Sequence, residues 1–247
     1  MKVALYNQMF ALDGRKLFSN ILGHYAVHFQ NNPDNALKRT DINRTIKIIR
    51  ESDADIIGIC EILEGQEKEL ETELKKLGYN WIYFEEGHRT KFNNLGIKVA
   101  IASKIKCKKQ KLEGFPTKNE LGGGGGAIQC YFPRLKLSLI NVHFAIMQQK
   151  ELLKKQISFF NQNFKKLNGK FILMGDFNQT FKEIKDKLNL SNLKLASNEI
   201  KTCSLTPFVR LFHFKDDDHI LVRKINVKGC GFLEGESDHR LIYAELE

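Results

Sequence analysis

The sequence predicts an α/β domain, and three observations predict it. Short apolar runs of strand length recur along the chain, amphipathic runs at helical spacing alternate with them, and no polar, Pro- or Ser-rich linker divides the 247 residues. A chain of this length can bury one large core, so residues 1–247 are expected to be a single catalytic-size domain.

The elements follow in order. "KVALYN" alternates as a first strand, and after a long polar stretch "RTDINRTIKIIR" places Ile42, Ile46 and Ile49 on one helical face. A turn at "ESDAD" leads into "IIGIC", a buried strand ending at Glu61. "EKELETELKKLG" is an amphipathic helix stopped by Gly78, and "WIYFEE" and "KVAIAS" are strands. "GAIQCYF" and "KLSLINVHF" form a hairpin across "PRL"; then come the helix "KELLKKQISFFNQNFKKL", the strand "KFILMG" and the short helix "FKEIKDKLNL". "DDDHILV", "INVKGCGFL" and "HRLIYAEL" close the chain as strands.

Composition narrows the function classes. The first residues lack the apolar core of a signal peptide, and no stretch approaches the length of a membrane span. Five scattered cysteines without a CxxC pair argue against a disulfide framework or a zinc site, and a cytoplasmic monomer is expected. The excess of 39 Lys+Arg over 29 Asp+Glu leaves +10, which favours polyanionic partners, either nucleic acid or an anionic membrane surface. Two features tempt a ligand reading. "GGGGG" at 122–126 lacks the Lys-Ser/Thr and helix of a phosphate loop and reads as a flexible hairpin or lid. His24 and His28, four apart in the 17–40 insert, could ligate a metal on a helix but read more simply as surface or lid histidines.

The stretch "LMGDFNQT" carries more. An apolar strand ends in Gly175 and then presents Asp176 and Asn178 where α/β proteins meet their ligands; alone, this equally suits an Asx turn that ends the strand. Four other strand boundaries do the same, with Asn7, Glu61, His143 and the pair Asp238-His239. Three carboxylates, two imidazoles and two carboxamides without a thiolate suit a hard cation, Mg²⁺ or Mn²⁺.

The order of these motifs resembles the endonuclease/exonuclease/phosphatase superfamily of metal-dependent phosphoesterases. It runs from Asn7 to His239 through "ADIIGICE", "NVHF", "GDFN", "DHILV" and "SDH". The resemblance implies a four-layer sandwich, two mixed β-sheets packed face to face with helices outside and a site at one sheet edge. It implies Glu61 as the principal metal ligand with Asn7 and Asp238 beside it, and Asp176 aligning the attacking water with Asn178. It also implies His143 and His239 as donors to the phosphoryl oxygens, and Asp218 orienting His239. Where several nuclease branches carry a tyrosine and an arginine, this chain offers Arg89, Asn93 and Asn94 as substrate-binding positions and no tyrosine. The expected activity is hydrolysis of phosphodiesters in DNA or RNA. Lipid or inositol head groups are the alternative substrates, and a binding module with a spent site is disfavoured because Glu61, Asp176 and His239 are all present.

Overall fold

The computed structural model describes residues 1–13, 17–30, 32–92, 94–117, 125–164, 169–188, 193–203 and 215–247. Its first half runs β1 (Lys2–Asn7), α1 (Leu17–Phe29), α2 (Pro33–Leu37), α3 (Ile42–Ser52), β2 (Ile56–Leu63), α4 (Glu67–Lys76), β3 (Trp81–Arg89), β4 (Gly96–Ser103) and β5 (Lys108–Gln110). The second runs β6 (Gly126–Phe132), β7 (Leu137–His143), α5 (Lys150–Phe164), β8 (Lys170–Asp176), α6 (Phe181–Lys187), β9 (Lys194–Leu195), β10 (Asp218–Arg223), β11 (Val227–Leu233) and β12 (Leu241–Leu246).

The strands form two six-stranded sheets, ordered β11-β12-β1-β2-β4-β3 and β5-β6-β7-β8-β10-β9. Each is mixed: β1–β2 and β7–β8 are parallel and every other pair is antiparallel. Because side chains alternate along a strand, a strand apolar at every position buries both faces. In β1, Val3 and Leu5 enter the core between the sheets, joined there by Ile128, Ile172 and Ile220, while Ala4 and Tyr6 pack outward with Ile46 and Ile49 of α3 and Leu70 and Leu74 of α4. In β8, Ile172 and Met174 face inward, and Phe171 and Leu173 face outward with Leu153 and Phe160 of α5 and Ile184 of α6. The result is the four-layer sandwich that the family resemblance implies.

The helix ends are set locally. Asp41 caps α3 through Asn43 N, and Thr180 with Glu183 forms a capping box on α6. Three differences from the sequence reading stand out. The edge strands β5 and β9 and the five-residue α2 are too short to show a period. β2 does not stop at Glu61 but continues to Leu63. Of the glycine run, 122–124 lie outside the described residues, Gly125 has φ +110 and Gly126 opens β6 against Gly87, whose Cα would lie 3.0 Å from an added Cβ.

This topology fixes where the site lies. Parallel strands end at the same sheet edge, so β1, β2, β7 and β8 deliver their C-terminal residues together. β10 and β12 run antiparallel to β8 and β1 and start at that same edge.

Candidate active site

Strand alternation aims most of the group. Asn7, His143, Asp176 and Asp218 share the parity of the inward residues Leu5, Leu139, Met174 and Ile220, so all four face the space between the sheets. Register places them side by side: His143 pairs with Asp176 across β7–β8, and Asp218 pairs with Asp176 across β10–β8.

Glu61 has the wrong parity for a regular strand, and a β-bulge corrects it. The β2–β4 register shifts between Ile59 and Ile62, and Glu61 takes φ +59. Ile59 and Ile62 both face the outer helices while Glu61 turns inward. The buried Asn141 holds this bulge, because its Nδ2 donates to Ile59 O at 3.1 Å and Ala100 O at 3.0 Å, tying one sheet to the other. Beneath it, Gln8 Nε2 donates to Glu61 O at 3.3 Å and to Gln66 Oε1 at 3.0 Å.

The remaining residues are fixed by short contacts. Asn7 Nδ2 donates to Asp176 Oδ2 at 2.9 Å, and Asn178 N donates to Asp176 Oδ1 at 2.7 Å, so the Asx turn and the site are the same structure. Asn178 Nδ2 reaches Phe144 O at 2.8 Å. Gly175 has φ +154, and an added Cβ would lie 1.8 Å from Val142 O, so only glycine permits the approach of β8 to β7. The buried Ser237 hydroxyl donates to Asn7 O at 2.8 Å and accepts from His239 N at 3.0 Å, which binds the "SDH" segment to the end of β1.

Three consecutive aspartates divide their work. Asp216 caps α6 through Phe181 N and meets Lys201. The buried Asp217 is pushed up to about 7, first by burial and then by Asp176 and Asp218. Asp218 Oδ2 grips His239 Nδ1 at 2.6 Å, and its Oδ1 finds no hydrogen-bond partner among the described residues.

The electrostatics separate the two imidazoles. Burial pulls both down, but for His239 Asp218, Cys203 and Asp238 together with the Asp218 hydrogen bond outweigh it and hold it well above the ordinary histidine value. For His143 burial wins over Asp176 and keeps it low. Burial, followed by the like charges of Asp238 and Asp176, pushes Glu61 up to about 8 against the pull of His239.

Five groups then face one gap. His143 Nε2 lies 3.7 Å from Glu61 Oε1 and 3.6 Å from Asp176 Oδ2, and His239 Nε2 lies 4.0 Å from Asp176 Oδ2 and 4.0 Å from Asp238 Oδ1. These separations exceed a hydrogen bond and leave room for an atom between the groups. Ligand atoms of Glu61, His143 and Asp176, and those of Asp176, Asp218 and His239, lie within 4.8 Å of one another. A donor set of carboxylate oxygens with imidazole and no thiolate fits a hard divalent cation.

The structure leaves two of the predicted residues outside this group. Arg89 is engaged with Glu64 and Glu86 and donates to Asn94 O at 2.7 Å, so its guanidinium braces the β3–β4 turn. Asn94, at φ +54, is part of that turn, and Asn93 lies outside the described residues. Sequence reasoning missed Asn141 and Ser237 as supports, although Asn141 lies two residues before His143 and therefore on its face.

The model of the endonuclease/exonuclease/phosphatase family matches residues 17–239. The chain belongs to that family. Endonuclease/exonuclease/phosphatase proteins are divalent-metal-dependent hydrolases of phosphoesters, and this chain carries the acidic and imidazole groups to hold such an ion. Solved structures share the fold over 100% of this chain. They include a family protein from Leptotrichia buccalis (15% identity, 99% of that chain, TM-score 0.67) and the 3′ phosphatase NExo from Neisseria bound to product DNA hairpin (16%, 99%, 0.65). A mannosyl-6-phosphatase from Bacteroides thetaiotaomicron (18%, 99%, 0.63) shares it too. A search of curated proteins finds no match.

Proposed function

We propose that this member of the family is a phosphodiesterase of nucleic acid that works with Mg²⁺ or Mn²⁺. The observation that carries the reading is the gap between Glu61, Asp176, His143 and His239, lined by acceptors on one side and donors on the other. Glu61, Asp238 and Asn7 would hold the ion, which supplies Lewis acidity toward phosphoryl oxygens. Asp176, pinned by Asn7 and the Asn178 backbone, accepts the proton of an attacking water and fixes its line of approach. His239, kept cationic by Asp218, faces the charge that accumulates on the phosphoryl group, and neutral His143 donates a second hydrogen bond. Asp218 acts through His239 by fixing its tautomer and ring plane.

The choice of a polynucleotide over a small phosphoester rests on the +10 charge. A strand lying across the site contacts several cations and releases condensed counterions, so affinity falls with salt at a log–log slope of roughly −0.7 to −0.9 per phosphate contacted. The test is a panel of single-stranded DNA, single-stranded RNA, duplex, inositol phosphate, sugar phosphate and sphingomyelin, with Mg²⁺ and with excess chelator. Metal-dependent cleavage of nucleic acid, and steep salt dependence of binding to a Glu61→Gln/Asp176→Asn double variant, support the reading. Turnover confined to a small phosphoester, a salt slope near zero, or full activity in chelator overturns it.

A further inference from the structure

Helix α1 packs on Phe10 beside this site and carries two kinds of ring. His24 and His28 stack on each other (centroids 6.1 Å apart, planes 8° apart), and each meets the edge of Phe10, three residues beyond Asn7, at 5.7 Å. Asp238 is near enough to influence His24, and His28 and His143 are each near enough to influence His88, so imidazoles lead from α1 toward the catalytic gap. Beside that row, Tyr25 stacks on Phe29 at 5.8 Å, and Phe29 meets Phe92 of the β3–β4 turn at 5.6 Å. These three rings are 52%, 56% and 54% exposed, and Lys91 Nζ sits 6.0 Å over Phe92.

We propose that Tyr25, Phe29 and Phe92 form a stacking wall for the unpaired bases of the strand whose phosphate enters the site. The inference rests on the nuclease reading and narrows it to single-stranded or frayed nucleic acid. Exposed aromatic faces beside a cationic surface are how proteins hold single strands, because every base has a π-face. The neighbouring imidazoles add hydrogen-bonding capacity toward base edges, which an acyl chain cannot use. Lys91 and the net charge of +10 complement the phosphates between successive bases. Ile21 and Leu22, also exposed on α1, extend the apolar floor along the helix.

The test compares two single-stranded oligodeoxynucleotides of equal length and phosphate count, one complete and one with abasic tetrahydrofuran residues flanking the scissile position. With Mg²⁺, the wild-type protein should show a KM roughly tenfold lower for the complete strand, the scale of a stacked base. Phe29→Ala/Phe92→Ala should bring the two KM values together, and Phe29→Tyr, which keeps a ring, should preserve the difference. If the double alanine variant does not fold, quenching of a 2-aminopurine base on binding to the wild-type protein decides instead: quenching supports the wall and its absence refutes it. Equal KM values in the wild type with cleavage intact overturn the wall and leave the nuclease reading standing. Cleavage of neither oligonucleotide overturns both. Co-sedimentation with phosphatidylserine vesicles that Phe29→Ala abolishes would make this face a lipid surface and overturn the proposal.

Discussion

The sheet edge and the α1 wall flank the same gap and are built in opposite ways. At the edge, Asn7, Asp176, Asn178, Asp218 and His239 are each fixed by a hydrogen bond to another strand or turn, and the strand residues Asn7, Asp176 and Asp218 point where strand parity sends them. Along the wall, Tyr25 stacks on Phe29 one turn later in α1, and Phe29 meets Phe92 across a long separation in sequence. The edge is held by these hydrogen bonds. The wall exposes apolar surface that water does not stabilise, which suits a face that is covered when substrate arrives. Chemistry should therefore sit with the edge, and strand preference with the wall.

The largest effect expected is at the edge. Asp176→Asn and His239→Ala should each lower kcat by roughly 10² or more, since general base and charge-stabilising groups are worth that much. KM and thermal stability should change little. Asp218→Asn should lower kcat by a smaller factor and shift the pH–rate profile, because it acts by orienting His239. Wild-type turnover in Asp176→Asn would remove that residue from the chemistry and break the contrast between the two regions.

Most of the edge was legible in the sequence. Three of its positions, Asn7, His143 and Asp176, follow from a rule that needs no coordinates: a polar residue at the end of an apolar strand, on the face of the core residues earlier in that strand. Glu61 was legible by type but not by direction, because the bulge that turns it inward depends on Asn141 reaching across from the other sheet. The roles of Asp216, Asp217 and Asp218 could not be separated by pattern, since only the start of β10 decides which of them faces His239. The wall was not legible at all. His24 and His28 raise the question of a metal, whereas their packing depends on Phe10, and the aromatic row exists only once the β3–β4 turn brings Phe92 to Phe29.

Two substitutions away from the gap measure how the edge is held. Gly175→Ala places a methyl group against Val142 O and should destabilise the fold by about 3 kcal/mol or more, read by denaturant unfolding. Asn141→Leu orphans two buried carbonyls at a cost of about 1–3 kcal/mol each, and by loosening the bulge it should also raise the metal concentration needed for activity. Loss of stability in Asn141→Leu with unchanged metal dependence would show that the bulge holds Glu61 without help.

The smallest effect tests whether α1 stays packed on the edge in solution. Burial, then His24, lowers His28 to about 4; burial, then His143 and His28, lowers His88 to about 3. Both are neutral in the fold and take up protons near pH 6.5 when unfolded, so the unfolded state binds more protons between about pH 6.5 and these values. Stability must then fall with acidification across that window, by at most about 1.4 kcal/mol per pH unit for each group. His239 shifts the other way, and its contribution is already complete below pH 6.5, so it does not offset this loss. Glu61 and Asp217, raised to about 8 and 7, bind protons in the fold and do oppose it. The difference between wild type and His88→Gln cancels those common contributions, and in excess chelator it should favour the variant increasingly from pH 6.5 to pH 4. Imidazole NMR titration gives the direct reading. His28 and His88 staying neutral below pH 5 would mean that α1 shields them from water as drawn, whereas ordinary titration near pH 6.5 would mean that the helix opens and that the wall assembles only on substrate.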